Sequence, residues 1–211
     1  MTLPTIDEGL RAAIGGRGAI SYLTKDEVEQ VFRTISPDNT RDQLMFDLIY
    51  RHGLRRREAT LLRLEDVLPE DRIWIPRLKG AVPGTYSLHP VTRKLLRRYL
   101  QEERRFDGCR FLLRGLRHRP NPLSVALIYQ LFRHYATRAG ISEDRRHVHV
   151  LRHSVAVHMM NAGFDAADVQ DWLGHRSITS TLVYARITNK RRDQNYERMV
   201  RSNDFAVTAP E

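Results

Sequence analysis

His149-Val150-Leu151-Arg152-His153-Ser154, then Leu173-Gly174-His175, then, nine residues past that histidine, Tyr184: on this stretch the reading of the chain turns. His149 and Arg152 stand three apart, so on a helix they share a face. Gly174 ends one helix and Ser177 caps the next, which carries Tyr184. Two histidines, an arginine and a tyrosine then converge on one small anionic group.

Outward from it, the pattern is mostly helical. The run 150–161 is apolar on one side (Leu151, Val155, Met159) and stops at Asn161-Ala162-Gly163; Asp165 caps the next helix, through Trp172-Leu173. Toward the N-terminus, Thr24-Lys25-Asp26-Glu27 is a capping box ahead of Val28, Val31, Phe32 and Ile35. A second helix over 40–52 buries Leu44, Leu48 and Ile49, and Gly53 ends it. From Leu64 the period changes to short β-prone runs, 64–67, 73–75 and 85–88, separated by turns. Helices follow over 90–103, with Leu95, Leu96, Tyr99 and Leu100 inward, and over 123–139, with Tyr129 and Tyr135 as packing residues. The expected fold is mainly α with a small three-stranded antiparallel β-sheet. Residues 1–20, broken at Gly15-Gly16-Arg17-Gly18, form a flexible lead-in, 21–201 one domain, and 202–211 a tail.

Composition bounds the partner. Lys+Arg number 35 against 25 Asp+Glu, a net charge of +10, and only four of the basic residues are lysines. The surplus is therefore arginine, whose planar fork matches phosphate, and nucleic acid is the usual partner of such a chain. One cysteine, Cys109, excludes an internal disulfide framework and fits a reducing compartment. No apolar run approaches a membrane span, so the expected setting is cytoplasmic and nucleoid-associated.

Two further stretches stay open on residue types alone. In Gly53-Leu54-Arg55-Arg56-Arg57-Glu58, burial of Leu54 pulls Arg55 inward, where Glu58 can hold its guanidinium; a solvated basic cluster opening a helix over 57–62 fits as well. Lys79 falls on the second turn of the sheet, as a solubility residue or as a group swung over a bound strand. His147, His149 and His153 lie close together, but no cysteine or carboxylate completes a zinc set. No serine sits in a Gly-x-Ser-x-Gly elbow.

Taken together, Gly-Leu-Arg-x-x-Glu at 53–58, His-x-x-Arg-His at 149–153, Leu-Gly-His at 173–175 and Tyr184 resemble the catalytic domain of the tyrosine recombinase (phage integrase) family over about residues 20–195. The resemblance implies site-specific DNA cleavage and rejoining. Tyr184 would be the nucleophile forming a 3′-phosphotyrosyl link, Arg55 and Arg152 the phosphate clamp, and His175 a further hydrogen-bond donor. His149 would be the general base, Lys79 the acid for the leaving 5′-oxygen, and Glu58 the support of Arg55. It implies no cofactor and no metal. Its partners would be double-stranded DNA, three further copies in a tetramer on paired sites joined through 188–201, and accessory DNA-bending proteins. Most members of that family have a separate helical core-binding domain ahead of this one, so the resemblance implies either a short single-domain member or a truncated form. A type IB topoisomerase-like relaxing enzyme and a non-catalytic DNA-binding remnant are the alternatives.

The chemistry wants these residue types independently. A tyrosine pKa near 10 leaves almost no phenolate at neutral pH, so the nucleophile needs a base and a positive pocket. The phosphorane-like transition state carries extra charge on its oxygens, which preorganised guanidinium groups stabilise best where water is excluded.

Overall fold

The computed structural model describes residues 20–78, 80–102, 104, 108–115, 121–185, 196 and 201. Lys79, residues 116–120 with His118, residues 1–19, and the segment 188–201 apart from 196 and 201 lie outside the described residues. Helix α1 (Lys25–Arg33) starts at the expected capping box: Glu27 N–H donates to Thr24 Oγ1 at 3.2 Å, and Thr24 N–H to Glu27 Oε2 at 2.8 Å. Asn39 caps α2 (Thr40–Arg51), and Gly53, at φ +57°, turns the chain beyond it into α3 (Arg56–Leu61). That left-handed backbone is one that glycine adopts without a Cβ penalty.

Three antiparallel strands follow: β1 (Val67–Leu68), β2 (Arg72–Ile75) and β3 (Gly84–Ser87), in that order across the sheet. The register pairs Val67 with Ile73 and Ile73 with Tyr86. β1 is shorter than expected because Leu64–Asp66 closes a 3-10 turn, with Asp66 accepting from the backbone of Arg63 at 2.7 Å. Helix α4 (Pro90–Glu102) lies on α2, where the Thr92 hydroxyl hydrogen-bonds the buried Asp47 carboxylate. Helix α5 (Val125–Arg138) turns Ile128, Phe132 and Tyr135 inward. Tyr129 corrects the expectation, for it is exposed on the other face, with the Arg56 guanidinium carbon 5.9 Å from its ring centre.

The last three helices are α6 (His149–Asn161), α7 (Ala166–Leu173) and α8 (Thr179–Ala185). α6 is not one-sided: Val150, Leu151, Arg152, Ser154, Val155, Ala156, Val157 and Met160 are all buried, while Met159 is only partly so. The reason is its place between two apolar clusters. The larger gathers α2, the sheet, α4 and α5 around Leu44, Phe46, Ile73, Tyr99 and Phe132. The smaller joins Val155, Val157 and Met160 to Val169, Leu173 and Tyr184. Each fully buried aliphatic or aromatic side chain contributes about 1.5–3 kcal/mol, so both faces of α6 are anchored. Leu23 N–H adds a bond to Ser154 Oγ at 2.8 Å. Among the described residues no helix is long and apolar enough to cross a membrane.

Candidate active site

Arg152 sits where the two clusters meet, 3% exposed, and projects from the first turn of α6. Its Nη1 donates to the Gly53 carbonyl and its Nη2 to the Leu173 carbonyl at 3.0 Å. The carbonyls at two chain turns, one after α2 and one closing α7, thereby hold it. Burial first, and the positive charges of Arg55 and Arg77 second, bring its pKa down to about 10, which still leaves it charged at neutral pH.

Arg55 is half-buried beside it. Its Nη1 donates to Glu58 Oε1 at 2.7 Å and its backbone N–H to Glu58 Oε2 at 2.9 Å. Glu58 is 2% exposed; burial opposes its charge, but the bonds from Arg55 and the charge of Arg77 more than offset this and leave its pKa lowered. Of the two readings open for residues 53–58, the inward one is thus found.

Gly174, at φ +64°, closes α7, and His175 follows it. His175 Nδ1 pairs with Thr181 Oγ1 at 2.9 Å, which ties it to α8. Ser177 supports the same turn through its carbonyl, accepting from Ser180 N–H at 3.2 Å. Desolvation, then Arg152, Arg55 and Arg77, push the His175 pKa down to about 4.

Tyr184 on α8 is 3% exposed, and its hydroxyl lies 2.9 Å from Nδ1 of His153. His153 is held down to about 4, mainly by burial, so its ring is neutral and can accept the phenol's proton in a hydrogen bond. Burial raises the Tyr184 pKa, while the charges of Arg152 and Arg55 pull against it. His149 occupies the exposed rim of the same helix, with its ring 6.2 Å from that of His153. Partial desolvation and the nearby Arg56 charge lower its pKa. The structure therefore gathers Arg55, Glu58, Arg152, His175 and Tyr184, and it puts His153 rather than His149 against the phenol.

Two residues escaped the sequence reading. His153 stands one turn after His149, and that spacing was the available signal. Arg77 lies two residues past β2, and the only signal for it was the continued alternation of buried Ile73 and Ile75. Its side chain is fully buried, donating to Glu58, His52, Gly53 and Trp172. Among the described residues no group of three or more His, Cys, Asp or Glu side chains is placed to share a metal ion.

Comparison with known proteins places this arrangement. The sequence model described as "Phage integrase family" matches residues 21–191. Tyrosine recombinase XerA of Thermococcus onnurineus (strain NA1) is 35% identical over 167 residues, 79% of this chain and 58% of that protein. The type 1 fimbriae regulatory protein FimE of Escherichia coli (strain K12) is 33% identical over 167 residues, 77% of this chain and 84% of that protein. In fold, the chain is similar to the XerH site-specific recombinase crystallised with its palindromic difH substrate after cleavage. The TM-score is 0.71 at 23% identity, covering 85% of this chain and 53% of that one. The chain spans less than two thirds of the length of the XerA relative it matches.

Proposed function

The chain belongs to the phage integrase family, and from that premise we propose that it is a site-specific DNA recombinase that cleaves and rejoins duplex DNA through Tyr184. The observation that carries this is geometric: Arg152 is pinned to the Leu173 carbonyl and Arg55 to Glu58, and the buried phenol that the motif spacing singles out lies against His153, the residue after Arg152. Tyr184 Oη attacks the scissile phosphorus, and the bond to the 5′-oxygen breaks. A 3′-phosphotyrosyl ester forms, and the 5′-end leaves as a hydroxyl. Arg55 and Arg152 neutralise the non-bridging oxygens, and His175 donates a further hydrogen bond. His149, at the rim, takes the phenolic proton once the phosphate draws Tyr184 toward it; His153 holds the phenol beforehand. Lys79 supplies the proton to the leaving oxygen, and Glu58 keeps Arg55 turned inward. The ester conserves the energy of the broken bond, so resealing to a new 5′-hydroxyl requires no nucleotide.

The same proposal covers the setting. Residues 21–201 act as one catalytic domain, flanked by 1–20 and 202–211, in the cytoplasm on the nucleoid. Four protomers work on paired DNA sites, linked through 188–201, with DNA-bending proteins as accessories. The relative crystallised with its DNA substrate supports the DNA part.

A duplex nicked just beyond the scissile phosphate tests the reading. Wild-type protein is expected to form a covalent adduct that survives denaturing gel electrophoresis, and Tyr184→Phe to form none. An adduct with Tyr184→Phe would remove Tyr184 from the role. No adduct from the wild type on any attachment or inverted-repeat DNA flanking its gene would leave only the DNA-binding remnant.

A further inference from the structure

We infer that Arg77 is a positioning residue whose buried guanidinium sets the spacing of Arg55 and Arg152, the two groups that clamp the scissile phosphate. This rests on the recombinase reading above. Arg77 does not reach the solvent-facing side of the site, since its side chain is wholly buried. Its Nη1 donates to Glu58 Oε2 at 3.1 Å and to the Gly53 carbonyl at 3.3 Å. Its Nη2 donates to the carbonyls of His52 at 3.0 Å and Trp172 at 2.7 Å. The guanidinium carbon stands 5.2 Å from the centre of the Tyr86 ring.

Two of those four acceptors are shared with the clamp. Glu58 also holds Arg55 through both of its oxygens, and the Gly53 carbonyl also accepts from Arg152. The Trp172 carbonyl directly precedes that of Leu173, the second acceptor of Arg152. One planar fork thus spans the turn after α2, the carboxylate on α3 and the last turn of α7. A buried charge is costly, and removing it alone leaves Glu58 and three carbonyls short of a donor. What arginine adds is a rigid donor geometry that lysine or methionine cannot reproduce. Without it, Glu58 keeps Arg55 as its remaining ion-pair partner, with Arg152 acting at longer range, and the two turns lose their common strut. Both clamp guanidinium groups then shift.

Arg77→Met and Arg77→Lys test this on the nicked duplex, with either a normal diester or a methylphosphonate at the scissile position. The methyl group replaces one non-bridging oxygen and removes the charge that the clamp neutralises. A misplacement of about 1 Å in a positioning group costs about 10² in rate. Arg77→Met is therefore expected to cleave the diester roughly 10- to 10²-fold more slowly than wild type, yet to stay within about threefold of it on the methylphosphonate. Arg77→Lys should fall between the two. Affinity for uncleavable DNA is measured alongside and should change little, while thermal unfolding should stay cooperative at a lower midpoint. An equal loss on both substrates, no loss on the diester, or failure of both variants to unfold cooperatively would each overturn the inference. So would a wild type that cuts only the diester, because charge neutralisation would then not be the clamp's task. Failure of the recombinase reading is separate, since it appears as absence of adduct with the wild type before any Arg77 variant is made.

Discussion

The two halves of the site are built differently. On the guanidinium side, Arg152 bridges two backbone carbonyls, and Arg55 meets both oxygens of a buried carboxylate. On the phenol side, the Tyr184 hydroxyl meets one imidazole and the His175 ring one threonine hydroxyl, although the His175 backbone is also bonded to Gln170. The part proposed to receive charge is already held by the protein's own acceptors. The part proposed to form and break bonds to phosphorus is held by fewer polar contacts, within the smaller apolar cluster. Preorganisation is most useful where charge develops, whereas a nucleophile must travel to its target.

The largest expected effect tests the rigid half. Arg152→Ala should lower single-turnover adduct formation by about 10²–10³. Arg152→Lys should recover little, because one ammonium cannot serve two carbonyls and a phosphate in the same plane. A loss below tenfold for Arg152→Ala would break the contrast. The phenol side sharpens it: with His149 as the proposed general base, His149→Ala is expected to lose about 10² in rate. His153→Phe keeps a ring but loses the hydrogen bond to the phenol, and should change the rate by less than about tenfold. The opposite ranking in the same assay would move the base to His153.

A smaller effect concerns the frame. A Cβ on Gly174 would lie 2.7 Å from the Val82 carbonyl oxygen and 3.0 Å from Arg77 Nε, at a backbone φ of +64°. Gly174→Ala should therefore lower stability by more than about 1 kcal/mol, read as a fall of several degrees in the thermal midpoint. An unchanged midpoint would mean that the α7 turn relaxes freely.

The smallest is a pH slope. Burial lowers His52, His153 and His175 from 6.5 to about 4 in the folded chain. Between those values the unfolded chain binds more protons, so stability is complete above about pH 6.5 and erodes as pH falls toward 4. His52→Phe should flatten the erosion by up to one proton, measured as thermal midpoint against pH. An equal slope would mean that His52 is not held neutral.

Much of this was legible from residue types. The capping box at Thr24, the glycines at 53 and 174 and the alternation of β2 are local signals, and the elements they predict are found. The four motifs also named the residues that the fold brings together, Arg55, Glu58, Arg152, His175 and Tyr184. What escaped depended on distance in sequence. α6 carries a mixed pattern because it is enclosed by two clusters built from opposite ends of the chain, so no single face identifies it. Arg77 resembles a strand-end surface arginine until Gly53, Glu58 and Trp172 close around it. The contact of His153 with Tyr184 requires the α7 turn to fold α8 back against α6, which spacing along the chain does not encode.

The hairpin between β2 and β3 is seated on the α7 turn by a main-chain bond from Val82 N–H to the Gly174 carbonyl, at 3.1 Å. Whenever that loop lifts, this amide becomes free to trade its hydrogen with solvent. Deuterium uptake at Val82, timed with and without cognate duplex, would therefore act as a built-in gauge of docking that needs neither a label nor a substitution.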